Sequence, residues 1–162
     1  MRRIIMLVFS IFCLINFSAC TATEAGVTEY FGFEMSDFKI VEEKGTHGGF
    51  LGDGEYYLIL DCSDNTDDAQ SIIASWQKFP LPETLSLLMY GGEKDGNSYG
   101  YNFAKEAHWP DIKNGVYKFV DRHPQAGHEE DDSNLLDRGS LNFSIAVYDE
   151  DTDMLYYFEL DT

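Results

Sequence analysis

The chain has 162 residues, 29 acidic against 11 basic side chains and a formal charge of −18, which fits one domain with a strongly anionic surface. Such a surface repels phosphate backbones and argues against a nucleic-acid partner, while suiting a basic protein partner. The three cysteines, Cys13, Cys20 and Cys62, are too few and too scattered for a disulfide framework or a cysteine metal cluster.

Arg2 and Arg3 open the chain as a basic segment, Ile4 to Phe17 is an almost unbroken apolar run, and Ser18, Ala19 and Cys20 follow. That run is too short and wrongly flanked for a membrane span, so residues 1–19 are expected to be a cleaved signal peptide. The ending "NFSAC" resembles the lipobox of bacterial lipoproteins, with Phe17 where a leucine is commoner. The resemblance covers the first twenty residues and implies that Cys20 carries the lipid and becomes the mature N-terminus. It also implies an extracytoplasmic domain, anchored in the cell membrane or outer membrane of the cell envelope by acyl chains such as palmitate. Each buried methylene adds about 0.8 kcal/mol, so several chains hold a domain at a bilayer almost permanently. Losing Arg2 and Arg3 with the signal leaves 9 basic against 29 acidic residues, a charge of −20.

Residues 20–34 are small and polar at first, with aromatics only near the end, and are expected to form a lipidated tether. Residues 35–162 are expected to form a single globular domain. In "SDFKIVEEK", Phe38 and Ile40 fall on one side of a strand, and "EYYLILD" reads as a strand covered on both faces. The glycine-rich "GTHGGFLGDG" between them suits a hairpin connection. A helix is expected over about 66–78: Ala69, Ile72, Ile73 and Trp76 recur at helical spacing, Asn65 or Thr66 caps it, Asp67 and Asp68 meet its positive end, and "FPLP" stops it.

"TLSLLMY" is read as a strand. "SYGYNF" is read as another, with Tyr99, Tyr101 and Phe103 on one face, and "VYKFVDR" as a third. "HPQAGHEEDDSN" reads as a polar loop. The last signal is a β-hairpin in which Leu141, Phe143, Ile145 and Val147 face the core with Met154, Tyr156, Phe158 and Leu160, while Asn142 and Ser144 face outward. The expected fold is therefore α+β: a mainly antiparallel sheet with one helix packed on it and a C-terminal hairpin.

Chemistry is thinly marked. The glycine loop leads into a strand instead of a helix N-terminus, so it lacks the geometry of a phosphate cradle. His47, Phe50 and Leu51 are its candidate contact residues. Trp109, in "HWP" outside the clear strands, is a candidate exposed aromatic for a sugar or a protein partner. His123 and His128, flanked by acids, and the alternating Asp149, Asp151 and Asp153 are the metal candidates. The aspartates lack the glycine and glutamate of an EF-hand, which leaves only a weak surface calcium site, and no other cofactor is expected. Asp121 and Arg122 are candidates for an ion pair at a strand end. Cys62, in "YYLILDC", reads as a buried thiol, and no nucleophile motif is present. No catalytic residue is therefore assigned. The expected function is a membrane-tethered, non-catalytic binding domain for a basic protein partner, such as an immunity or inhibitor protein binds. The alternatives are a small metal-dependent hydrolase or a structural envelope lipoprotein.

Overall fold

The computed structural model of the chain describes residues 22–47 and 53–162. The strands are β1 (Lys39–Gly45), β2 (Gly54–Asp61), β3 (Gln77–Lys78), β4 (Gly92–Lys94), β5 (Asn97–Tyr99), β6 (Gly115–Asp121), β7 (Asn142–Asp149) and β8 (Met154–Asp161). The helices are α1 (Ala22–Phe31), α2 (Thr66–Ile73), α3 (Glu83–Tyr90) and the single turn α4 (Phe103–Glu106). Six strands form one sheet in the order β1-β2-β8-β7-β6-β3, antiparallel at every pairing, and β4 and β5 form a separate small hairpin. The expected α+β class with a mainly antiparallel sheet is the observed one.

The sheet is covered on both faces. One face carries Tyr57, Ile59, Phe119, Phe143, Ile145, Tyr156, Phe158 and Leu160, packed under α3, α4 and the segments around Trp109 and Leu135. The other carries Tyr56, Leu58, Leu60, Val116, Val120, Ala146, Tyr148, Leu155 and Tyr157, packed under α1 and α2. This corrects the one-sided reading of the C-terminal hairpin. β7 and β8 lie at the centre of the sheet, and Ser144, expected to face water, is fully buried.

Four other segments differ from expectation, each because tertiary contacts outweigh a local pattern. The expected tether over residues 20–34 contains helix α1 from Ala22, and Val27, Phe31 and Phe33 are buried in the second core layer. Phe31 meets Tyr157 edge-on at 5.3 Å and Trp76 at 5.9 Å, so packing begins well before residue 35. Helix α2 ends at Ile73 instead of 78, because Gln77 and Lys78 pair with Tyr117 and Val116 on β6 and become an edge strand. "TLSLLMY" is helical, not extended: Leu85, Leu88 and Met89 bury on the sheet. Its end is set by Gly91, whose φ of +72° is a left-handed conformation that costs a glycine little, and whose N–H donates to the Leu87 carbonyl. "SYGYNF" splits into β5 and the α4 turn, which delivers Phe103 onto Phe158 at 5.1 Å.

At the edge of the sheet, β1 contributes Phe38 to the core just before it begins, but Ile40 and Val41 are 44% and 52% exposed. The register slips between Ile40 and Glu42, a bulge that together with Lys39, Glu42, Glu43 and Lys44 blunts the edge against pairing with another chain. No helix among the described residues is long and apolar enough to cross a membrane.

Candidate functional site

At one end of the sheet the α1-covered face holds a polar network instead of hydrocarbon. Ser144 on β7 stands opposite Glu159 on β8, and Tyr157 lies on the same face of β8. The Tyr157 hydroxyl donates to Glu159 Oε2 and approaches Ser144 Oγ at 3.2 Å. Arg122, just past the end of β6, reaches across with its Nε donating to Ser144 Oγ at 3.0 Å. Its Nη1 pairs with Asp161 Oδ1 at 3.0 Å, and its Nη2 lies 3.5 Å from Glu159 Oε1. His47, at the start of the β1–β2 connection, places Nε2 3.2 Å from Asp161 Oδ2. Helix α1 closes over this network at Gly26, where a Cβ would sit 3.2 Å from both Glu159 Oε2 and the Tyr157 hydroxyl. A side chain there would press on both groups, so the glycine lets the helix approach closely.

Burial raises the Glu159 carboxyl above the ordinary range, opposed by the Tyr157 hydrogen bond and the charge of Arg122. Tyr157 is pushed well up by burial and by the neighbouring Glu159 charge. The arrangement thus holds two carboxylates beside one guanidinium, with a histidine at its rim. Of these partners the sequence singled out only His47, as a loop contact, and Arg122, as an ion-pair candidate with Asp121. The partners lie on segments far apart in the chain, His47 and Asp161 by 114 positions, so no local motif announces them.

Two of the surface grooves among the described residues bear on binding. The first, about 370 Å³, lies between the end of α1 and the start of α2 and is lined by Gly32, Glu34, Asp37, Phe38, Asp68, Ser71 and Ile72. Asn65 shapes it. Although Asn65 occupies the N-cap position of α2, its side-chain amide donates to the Asp37 carbonyl and ties the helix to the short 3-10 turn Met35–Asp37. Glu34, Asp37 and Asp68 are exposed, and none of the described residues lining the groove is basic. The second groove, about 420 Å³, is apolar and lined by Phe79, Pro80, Leu81, Tyr90 and Ile112, with the Asp111–Lys113 ion pair at its margin.

The residues singled out from the sequence mostly lie elsewhere. Trp109 is 8% exposed, packed near Tyr156, and offers no exposed ring, which corrects the expectation of a surface aromatic. Phe50, Leu51 and Cys20 lie outside the described residues. His123 bonds Ser140 through Nε2 at 3.0 Å and accepts from the Gln125 N–H, while His128 is exposed. Asp149 accepts from the Asp151 N–H and the Thr152 hydroxyl, Asp151 from Asn114, and Asp153 from the Tyr148 hydroxyl. These bonds hold the hairpin turn. Asp121 and Arg122 do not pair with each other: Arg122 serves the network, and Asp121 pairs with the buried Arg138 at 2.6 Å. Cys62 is fully buried, and burial pushes its thiol up to about 12, so it is not a thiolate nucleophile at neutral pH.

No protein-family model, curated protein or solved structure matches the chain.

Proposed function

We propose that this chain is a lipid-tethered, extracytoplasmic binding domain without catalytic activity, whose partner is a protein presenting lysine and arginine. The observation that carries the reading is the acidic groove of Glu34, Asp37 and Asp68. Its apolar floor of Phe38 and Ile72 suits the aliphatic stem of a basic side chain, and its rim suits the charged head. The wider charge balance supports it. Lys39, Lys94, Lys113, Arg122 and Arg138 each pair with an acid of the same chain, while Asp64, Asp67 and Asp68 stand exposed together on and just before α2. Each pairing matches one base with one acid, so the excess of acids leaves the surface field negative.

With a partner recovered from cell envelopes, the association rate is expected to fall by about 10-fold or more between low and high salt, with dissociation changing less. Reversing the groove with Glu34→Lys, Asp37→Lys and Asp68→Lys should reproduce most of that loss. Reversing Glu129 and Glu130, which do not line the groove, should not. An on-rate indifferent to salt and to groove reversal would mean that the acids serve solubility alone.

The tether has its own test. Because Val27 is already buried, only a short stretch separates Cys20 from the packed domain, which would hold the domain close to its membrane. Cys20→Ala is expected to move the protein into the soluble fraction and abolish fatty-acid labelling. A variant that still labels would remove the lipobox reading and leave the groove untouched.

A further inference from the structure

Among the described residues, His47, Glu159 and Asp161 are the set whose ligating atoms converge, all within 4.8 Å of one another. We propose that these three residues form a site for a single divalent transition metal, zinc by ligand type, with Arg122 orienting both carboxylates from behind. This site is separate from the acidic groove and independent of the partner reading.

Four features support it. One imidazole nitrogen with two carboxylate oxygens is a zinc-type donor set, whereas calcium and magnesium favour oxygen alone. Zinc holds such atoms at about 2.0–2.2 Å, which places ligand atoms roughly 3.4 Å apart in a tetrahedral site, so a modest side-chain rotation closes the set. Two carboxylates against one guanidinium leave one net negative charge at the rim, which favours a dication. Finally, His47 Nε2 already faces Asp161 Oδ2 at 3.2 Å, so the nitrogen that would ligate is directed toward the carboxylate pair.

Arg122 is the rival cation, and its position decides how the ion would sit. Its Nη2 also donates to the Phe143 and Leu160 carbonyls at 3.2 and 3.4 Å, and its Nε to Ser144, so backbone and hydroxyl hold it on the inner side. The outer side faces His47. Each carboxylate can then keep one oxygen on the guanidinium or on Tyr157 and turn a lone pair to the ion, as outer partners orient ligands in known metal sites.

The test is equilibrium dialysis of the full chain, purified in mild detergent and stripped of metal, against Zn²⁺ alone, with metal counted by elemental analysis. One zinc per chain is expected. His47→Gln and Asp161→Asn should each weaken binding by at least the roughly 10-fold that losing even an outer partner costs. His123→Gln and His128→Gln should leave it unchanged. Should a site variant fail to fold, the unmodified chain still answers: zinc is expected to protect His47 from diethylpyrocarbonate, mapped by peptide mass. Absence of stoichiometric zinc, binding lost only in the His123 or His128 variants, or His47 modified equally with and without zinc would each overturn the proposal.

Discussion

Phe143→Ala and Phe158→Ala are each expected to destabilise the domain by about 3–5 kcal/mol, read as a lowered urea midpoint or melting temperature. Both rings are fully buried, on the two central strands of the sheet. They lie 5.9 Å apart, with Phe119 at 6.0 Å from Phe143 and Phe103 at 5.1 Å from Phe158. Removing either ring opens a cavity that α3 and α4 cannot fill without leaving the sheet. A domain of this size has roughly 5–15 kcal/mol in total, so either loss is a large fraction of it. Because the rings touch, the double variant should cost less than the two single losses added. Melting like the unmodified protein in both single variants would show that the core lies elsewhere.

Asp121→Ala is expected to cost a comparable amount, about 3–5 kcal/mol, because it leaves Arg138 buried without a counter-charge. The two side chains are 0% and 5% exposed, with Arg138 Nη1 2.6 Å from Asp121 Oδ2. Asp121 Oδ1 also accepts from the His123 N–H at the start of the polar loop, so the pair fastens that loop to the end of β6. The informative comparison is with both partners replaced. Asp121→Leu with Arg138→Met removes both charges at similar volume and should recover most of the stability lost in either single variant. If both single variants melted within about 1 kcal/mol of the unmodified protein, the charges would have to be solvated, and the buried pair would be wrong.

The sequence by itself determined those elements whose local pattern and tertiary setting agree. Alternation in "SLNFSIAVYD" and "MLYYFELD" with an acidic turn between them marks β7 and β8, and a helical stripe at Ala69 and Ile73 marks α2. The glycine-rich segment before "EYYLILD" is flanked by β1 and β2, paired as antiparallel strands. In each case one hydrophobic face is enough to specify the element, because period alone distinguishes strand from helix when the other face is polar.

Only the tertiary structure decided the rest. A short apolar run such as "TLSLLMY" carries no decisive period, so whether it becomes strand or helix depends on the surface it covers, here the face beside Tyr57 and Phe143. Residues 22–33 look like a polar leader until α1 has a sheet face on which to bury Val27 and Phe31. Charges are the least legible of all. Asp121 and Arg122 are adjacent in sequence yet point to different partners, because Asp121 ends β6 and the next residue of the extended chain turns its side chain to the other side. The network of His47, Arg122, Ser144, Tyr157, Glu159 and Asp161 exists only because four strand ends meet at one edge of the fold. The free energy of burying a carboxylate selects its partner by distance in space, and distance along the chain does not enter it.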